Sequence, residues 1–228
     1  QLPDFAKKIN EHSLPLYLAT GYENPPEAFF DGILAFPPGH YAEIAIGNPK
    51  LKPERFWNYD KISAQDADAE FLISKISETF SDAVRLRLRS DVPVGGCLSG
   101  GLDSSAIFAE MKKHSPDSAF RAFSACFDDP RIDERPFMKS IVDKTQSIHI
   151  EVFPKAEDLA DGFDKFLFHH DEPVGSLSMY AQFRVMKSAR ENKVPVLLDG
   201  QGGDELFSGY WPSYMLLFNK FRRDGRID

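Results

Sequence analysis

Residues 92–105 read VPVGGCLSGGLDSS, and this stretch decides the fold. An apolar run enters a loop rich in glycine and serine that opens directly onto a helix, which is typical of a phosphate-binding turn. Because Gly100 and Gly101 carry no Cβ, backbone amides can close around an anion, and a helix that starts near Ser104 adds positive potential. Asp103 would repel a polyphosphate unless a cation lay between them, and Mg²⁺ prefers carboxylate and phosphate oxygens. The stretch therefore predicts a site for a magnesium-bound polyphosphate.

Short apolar runs alternate with helical patterns on both sides of this loop. The apolar runs predict strands over residues 92–98, 119–127, 147–153 and 194–198. The helical patterns lie at residues 104–113, 133–145, 156–168 and 178–192. A further amphipathic helix starts at Asp66 and places an apolar residue at every fourth position from Leu72 to Leu88. Such alternation predicts parallel strands with helices on both faces and ligands at the carboxyl ends of the strands.

Composition restricts the partners and the location. The net charge of −8 and the pI near 5.3 argue against a surface built for nucleic acid. We also expect no membrane partner, because no stretch has the length and apolarity of a span and the N-terminus is not a signal peptide. A cytoplasmic protein is the resulting expectation.

Cys97 and Cys126 form no C-x-x-C pair, so we predict two reduced thiols rather than a disulfide or a zinc site.

Two signatures carry a resemblance to a known family. Residues 99–105, SGGLDSS, resemble the pyrophosphatase loop of enzymes that split ATP between its α and β phosphates. Residues 197–210, LLDGQGGDELFSGY, are similar to a segment of glutamine-hydrolysing asparagine synthetases that is usually written L-S-G-E-G-x-D-E-x-F-G-G-Y. Shorter segments also follow the order of that family, and they lie at residues 30–33, 37–41, 55–59, 123–124, 133–134 and 171–173.

The resemblance implies a fold and a domain division. The fold is α/β, a mainly parallel sheet with helices on both faces of the adenine nucleotide alpha-hydrolase-like (PP-loop) type. Residues 1–60 would be the C-terminal remnant of an α+β glutaminase domain of the N-terminal nucleophile type, and residues 61–228 an ATP-pyrophosphatase synthetase domain truncated at its C-terminus. Relatives start the glutaminase domain with a nucleophilic cysteine, whereas this chain starts with Gln1, so we expect no glutaminase activity. They also continue past the position of Asp228 with a catalytic lysine, so we expect nucleotide binding but little or no amide synthesis from this chain alone.

The same resemblance assigns site residues. Asp103 and Asp204 would bind Mg²⁺. Together with Gln201 they would be the catalytic residues. The residues expected at the ATP site are Leu98, Ser99, Gly100, Gly101, Asp103, Ser104, Ser105, Ala125, Asp199 and Gly200. For the two metal ligands the residues alone leave open a second interpretation, in which both aspartates are helix N-caps. The serines are compatible with turn and cap hydrogen bonds as well as with phosphate contacts.

Two positions depart from the family pattern. Asp199 stands where the family has Ser, and Gln201 stands where it has a catalytically implicated Glu. Glutamine can position an ammonia nucleophile but cannot accept its proton near neutral pH. The acceptor of the amide therefore stays open.

The reaction that the resemblance implies is ATP-dependent amide synthesis through an acyl-adenylate. Aspartate would be converted to asparagine with release of AMP and pyrophosphate, and ammonia would come from glutamine through a glutaminase domain missing here. This is a carbon–nitrogen ligase with glutamine as amido-N donor, and a homodimer is left open. The alternatives are an amidotransferase or β-lactam synthetase that acts on another carboxylate, and a nucleotide-binding module without catalysis. His169 and His170 precede a family loop at residues 171–173, and we interpret them as part of that loop or as residues that support a site from behind, rather than as a transition-metal site.

Overall fold

The chain divides between Asp68 and Ala69 into two units. The computed structural model describes residue 5 and residues 7–48, 50–61 and 67–226. Asp66, at which we expected a helix to begin, lies outside the described residues. The assignment of residues 1–60 to a glutaminase domain stays a prediction.

The described part of the first unit contains one α-helix, a two-stranded ribbon and a 3-10 turn at Tyr59–Lys61. Helix α1, Ser13–Thr20, packs the ring of Tyr17 edge-on against Phe29, with 4.9 Å between the ring centroids. Strands β1 (His40–Tyr41) and β2 (Glu54–Arg55) pair antiparallel. The sequence did not predict α1, because its apolar residues do not recur on one helical face.

The second unit is built on four parallel strands. Strands β3 (Val94–Cys97), β4 (Arg121–Ala125), β5 (Ile148–Val152) and β6 (Val196–Leu198) pair in the order β5-β4-β3-β6. The predicted parallel sheet is confirmed, and each strand lies within its predicted range. Gly96 of β3 lies opposite Ala122 on one side and Leu198 on the other, so β3 and β6 are direct neighbours although about a hundred residues separate them in sequence.

Seven helices accompany these strands in the described part of this unit. They are α2 (Ala69–Arg87), α3 (Leu102–His114), α4 (Arg135–Thr145), α5 (Ala156–His170), α6 (Leu177–Glu191), α7 (Gly203–Phe207) and α8 (Trp211–Arg223). The predicted helices over residues 104–113, 133–145, 156–168 and 178–192 are confirmed, with ends that coincide or differ by one or two residues. Helix α5 continues through His169 and His170, so the prediction that these two histidines belong to a loop was wrong. Helices α7 and α8 were not predicted.

Two apolar clusters show that helices cover both faces of the sheet. On one face, Ala122 of β4 packs with Phe108 of α3 and Met138 of α4. On the other face, the next residue of β4, Phe123, packs with Val185 of α6. Successive residues of a strand point to opposite faces, so β4 contributes to both cores. Helix α5 lies against α6, where the ring centroids of Phe166 and Phe183 are 5.4 Å apart.

The strand order places a topological switch point at the carboxyl ends of β3 and β6. From β3 the chain passes through α3 to β4 on one side of the sheet, while β6 pairs with β3 on the other side. The connections after β3 and β6 therefore leave the same sheet edge from neighbouring strands, which is where open α/β sheets bind ligands. Among the described residues, no helix is long and apolar enough to cross a membrane.

The glycine at position 96 lets α3 approach β3. A Cβ on Gly96 would lie 2.7 Å from two ring carbons of Phe108, and Phe108 is completely buried. We therefore expect Gly96→Ala to lower the free energy of unfolding by about 1–3 kcal/mol, because the ring has to move within a packed core. Urea denaturation followed by circular dichroism measures this change.

The matched control is Gly162→Ala in α5, where a new Cβ meets no atom within 4 Å. Alanine is the better helix former by roughly 0.5–1 kcal/mol, so this variant should be as stable as the parent or more stable. Equal stability of Gly96→Ala and the parent would contradict the packing argument.

Candidate functional site

Two loops meet at the switch point. Residues 98–101 connect β3 to α3, and residues 199–202 connect β6 to α7. A Cβ on Gly200 would lie 3.0 Å from the backbone nitrogen of Ser104, and a Cβ on Gly203 would overlap the carboxylate of Asp103. Contacts this close are available only to glycine, which is why this residue recurs in the second loop. Both loops face the same crevice, as the alternation of strands and helices predicted.

The first loop is closed by its own serines. Ser99 Oγ accepts a hydrogen bond from the amide of Gly101 at 3.2 Å and lies 2.9 Å from Ser104 Oγ, which accepts from the amide of Ser99 at 3.2 Å. Gly100 has φ +87°, in the left-handed region that favours glycine. The hydroxyls of Ser99 and Ser104 thus hold the turn, which is one of the two roles that the sequence left open for them. The first amides of α3 have no acceptor within the helix and point toward the crevice end of the sheet.

The two aspartates expected to bind metal occupy equivalent places. Asp103 is the second residue of α3 and Asp204 the second residue of α7. The N-cap positions belong to Gly101 and Gly202, so the alternative interpretation of both aspartates as N-caps was wrong. Within the described residues, neither carboxylate takes part in a hydrogen bond or an ion pair with another side chain. Both are therefore open to an external cation.

A cavity of about 540 Å³ joins the two loops. The predicted site residues that line it are Leu98, Ser99, Gly101, Asp103, Ser104, Ala125, Asp199, Gly200, Gln201 and Asp204. Gly100 and Ser105 were also predicted there but are not among its lining residues; Gly100 instead packs behind the loop, where a Cβ would lie 3.1 Å from the carbonyl oxygen of Glu134.

Several lining residues were not identified from the sequence. Gln182 and Val185 come from α6, Phe123 from β4, and Leu102 and Phe127 from the loop ends. They carry no motif, and only the packing of α6 on β4 brings the first two to the cavity. Glu134, which belongs to one of the shorter family segments, also lines the cavity from the position just before α4.

Asp199 is anchored from helix α6. Gln182 Nε2 donates a hydrogen bond to Asp199 Oδ2 at 2.9 Å, and the amide of Gln201 donates to Asp199 Oδ1 at 3.3 Å. Burial raises the pKa of the Cys97 thiol, and the negative charge of the nearby Asp199 carboxylate raises it further. Cys97 is therefore protonated at neutral pH, and both cysteines are free thiols, as predicted.

A second hydrogen-bonded chain holds the first loop at its start. Ser124 Oγ donates to the carbonyl oxygen of Leu98 at 2.6 Å, and His149 Nε2 lies 2.9 Å from Ser124 Oγ. Because the one hydroxyl proton of Ser124 goes to Leu98, His149 has to be the donor to Ser124. Burial lowers the pKa of His149, and the Glu151 carboxylate 3.5 Å from Nδ1 opposes this only in part. A neutral imidazole with its proton on Nε2 fits these contacts.

Among the described residues, no group of three or more His, Cys, Asp and Glu side chains is placed to hold a metal ion by itself. A magnesium ion held by one or two carboxylates together with substrate phosphates does not need such a group. This result does not support a transition-metal site at His169 and His170.

Comparison with known proteins identifies the family. Residues 75–227 match the Asparagine synthase family. The chain belongs to this family. The match includes α3, β6 and both loops of the cavity.

Named relatives agree with this assignment. A protein of Methanocaldococcus jannaschii, provisionally named a glutamine-hydrolysing asparagine synthetase, is 32% identical over 96% of this chain and 41% of its own length. Glutamine-hydrolysing asparagine synthetase 1 of Bacillus subtilis is 27% identical over 89% of this chain and 31% of its own length. An amidase of Penicillium rubens is 28% identical over 80% of this chain and 29% of its own length. The chain thus spans between a quarter and a half of the length of these relatives.

The catalytic role expected for Gln201, at a position where the family pattern has Glu, stays a prediction. Its side chain is exposed at the cavity, and its described hydrogen bond is made by the backbone amide to Asp199. The position is therefore open to a ligand, but the residue there is not a base.

The contact between Cys97 and Asp199 can be tested without any ligand. We expect Asp199→Asn to speed the reaction of Cys97 with a thiol reagent at pH 8, because removal of the negative charge lowers the pKa of the thiol and each unit raises the thiolate population about tenfold. Mass spectrometry of labelled peptides gives the rate at Cys97 separately from the rate at Cys126.

Asp164→Asn, an exposed site on α5, makes the same charge change away from the cavity and should leave the Cys97 rate unaltered. If Asp199→Asn and Asp164→Asn label Cys97 at the same rate, Asp199 does not act on the thiol as described.

Proposed function

We propose that this chain carries the ATP-using, amide-forming part of an asparagine-synthetase-type enzyme. The observation that carries the proposal is the cavity between the two loops, because it unites an anion-binding turn with two carboxylates that have no described partner. Membership of the asparagine synthase family supports the type of reaction.

The residues present fit a magnesium ion bound together with ATP. The open carboxylates of Asp103 and Asp204 lie at the starts of α3 and α7, and the carboxylate of Asp103 lies directly against Gly203, in the space that a Cβ would take. When bound there, Mg²⁺ would supply the positive charge that lets carboxylates and phosphates share the site. The cavity needs such a charge, since none of the described residues that line it is a lysine, an arginine or a histidine.

In this proposal the protein acts mainly by positioning. The amides at the start of α3 would hold the phosphates, and the closed loop of Ser99 and Ser104 would keep these amides aligned. An oxygen of the substrate carboxylate would attack the α phosphorus, and the bond from that phosphorus to the pyrophosphate oxygen would break. Ammonia would then attack the acyl carbon, AMP would leave with the bonding electron pair of its oxygen, and the surplus proton would pass to solvent.

Gln201 would orient the ammonia nucleophile without accepting its proton. A glutamine-hydrolysing partner domain as the source of ammonia belongs to the same proposal, as do aspartate as the acceptor and a cytoplasmic location. The residue change at 201 and the amidase among the relatives favour a second candidate, in which the same chemistry acts on a carboxylate other than aspartate.

The role of Asp103 gives a direct test of magnesium-dependent nucleotide binding. We expect Asp103→Asn to weaken ATP binding at least about tenfold when Mg²⁺ is present, because the neutral amide is a poorer ligand for the ion. In EDTA the variant should bind ATP at least as well as the parent, because without the cation the carboxylate of Asp103 only repels the phosphates. Isothermal titration calorimetry under both conditions measures the difference.

Asp117→Asn in the exposed turn after α3 is the matched control and should bind like the parent. Loss of affinity in Asp103→Asn that is the same with Mg²⁺ and with EDTA would rule out the metal-ligand role.

The reaction itself is tested on the intact parent protein, by exchange of labelled pyrophosphate into ATP in the presence of a panel of carboxylates. We expect exchange that requires Mg²⁺ and a carboxylate, because adenylation is reversible as long as pyrophosphate is present. Exchange with aspartate supports asparagine synthesis, and exchange only with another acid assigns a different acceptor. ATP binding without exchange for any acid would replace the enzyme proposal with a nucleotide-binding module.

A further inference from the structure

The peptide group between Leu98 and Ser99 is the point at which the chain leaves β3 and enters the first loop. The backbone ladder between β3 and β4 reaches this point with the amide of Leu98, which donates to the carbonyl oxygen of Phe123 at 3.0 Å. The next backbone group, the carbonyl oxygen of Leu98, accepts from the hydroxyl of Ser124 at 2.6 Å. A side chain of β4 thus holds the chain where the loop begins.

The same peptide group is also held from the side of the loop. Its carbonyl belongs to Leu98 and its amide to Ser99, and both lie in one rigid plane. The amide donates to Oγ of Ser104, the third residue of α3, at 3.2 Å. Rotation of the plane would break the contacts with Ser124 and Ser104 together. The hydroxyl of Ser124 therefore helps to fix the start of the loop, although it lies outside the loop.

His149 of β5 sets the direction of this contact. Its Nε2 lies 2.9 Å from Ser124 Oγ, and the hydroxyl has one proton to donate. When Nε2 carries a proton, the imidazole donates to Ser124 and the hydroxyl proton goes to Leu98. An imidazole without a proton on Nε2 would accept the hydroxyl proton instead and leave the carbonyl of Leu98 without its donor. Since Ser124 and Leu98 are both buried, the loss of this hydrogen bond would be costly.

We propose that Ser124 and His149 are positioning residues that hold the first loop in the conformation that binds phosphates. The inference rests on the proposed function, because it takes the amides at this loop and at the start of α3 as the phosphate donors. Neither residue is among the described residues that line the cavity. Both therefore act on a ligand through the peptide group of Leu98 and Ser99 and not by direct contact.

The experiment measures the affinity for ATP by calorimetry with excess Mg²⁺ on the intact protein and its variants, below the unfolding midpoint of each. Ser124→Ala should weaken binding about 3- to 10-fold, which is the effect of one lost hydrogen bond. His149→Leu should weaken it no more than that, and His149→Gln should restore it, because a glutamine amide can donate in place of Nε2. In the Ser124→Ala background His149→Leu should add nothing, since the histidine acts through the serine.

Ser81 and His114 provide the matched control. Their Oγ and Nε2 atoms are also 2.9 Å apart, and the pair joins α2 to the last residue of α3, whereas the loop precedes the first. The combined variant Ser81→Ala and His114→Leu removes the same kind of contact. It should leave the affinity for ATP unaltered.

The unaltered protein gives a second readout if Ser124→Ala does not fold. In ¹⁵N NMR at neutral pH, Nε2 of His149 should carry a proton, and a proton on Nδ1 alone would overturn the inference. If the variants at 124 and 149 bind ATP like the parent, or if the control loses as much affinity as they do, the inference fails while the proposed function stands. If the parent does not bind ATP, the proposed function fails and the inference with it.

Discussion

The pairing of β3 with β6 is the contact on which the rest of the site depends. These two strands are distant in sequence, yet Gly96 of β3 lies directly opposite Leu198 of β6. Because the pair is parallel, the loops that follow both strands emerge at the same edge, and the carboxylates of Asp103 and Asp204 arrive at one cavity. Neither loop forms the site alone, since the first supplies the anion-binding turn and the second supplies Asp199 and Asp204.

Glycine makes this arrangement sterically feasible. The strand glycines let α3 and its neighbours approach the sheet, and a Cβ at Gly95 would lie 2.8 Å from the carbonyl oxygen of Arg121. In the second loop, Gly200 and Gly203 let the backbone of one connection approach the side chain of the other. Glycine loses more conformational entropy on folding than other residues do. This loss is offset by buried contacts of the strands and helices, such as those of the fully buried Phe108 and Met111.

The sequence predicted what depends on local pattern and on the quoted motifs. The alternation of apolar runs and amphipathic helices was sufficient for the parallel sheet and for the common edge of the two loops. It was not sufficient for α1, whose apolar residues lie on no single face, or for α7, which is only five residues long. The aromatic residues of α8 do recur at helical spacing, at Tyr214, Phe218 and Phe221, but this signal was missed. The anchoring residue Gln182 was also missed, because its role arises from the packing of α6 on the sheet and not from any spacing along the chain.

Charge explains why three aspartates can share one cavity. Asp103 and Asp204 lie in the first turns of helices, where the helix dipole favours a negative charge, and both remain open to the cavity. Asp199 lies at the end of a strand and has no such dipole, so its charge is stabilised by an amide donor from Gln182 and a backbone N–H. Of the three carboxylates that line this cavity of about 540 Å³, Asp199 is therefore held by donors of the chain itself, whereas Asp103 and Asp204 have no described side-chain partner. The proposed metal-binding role of Asp103 and Asp204 depends on this difference.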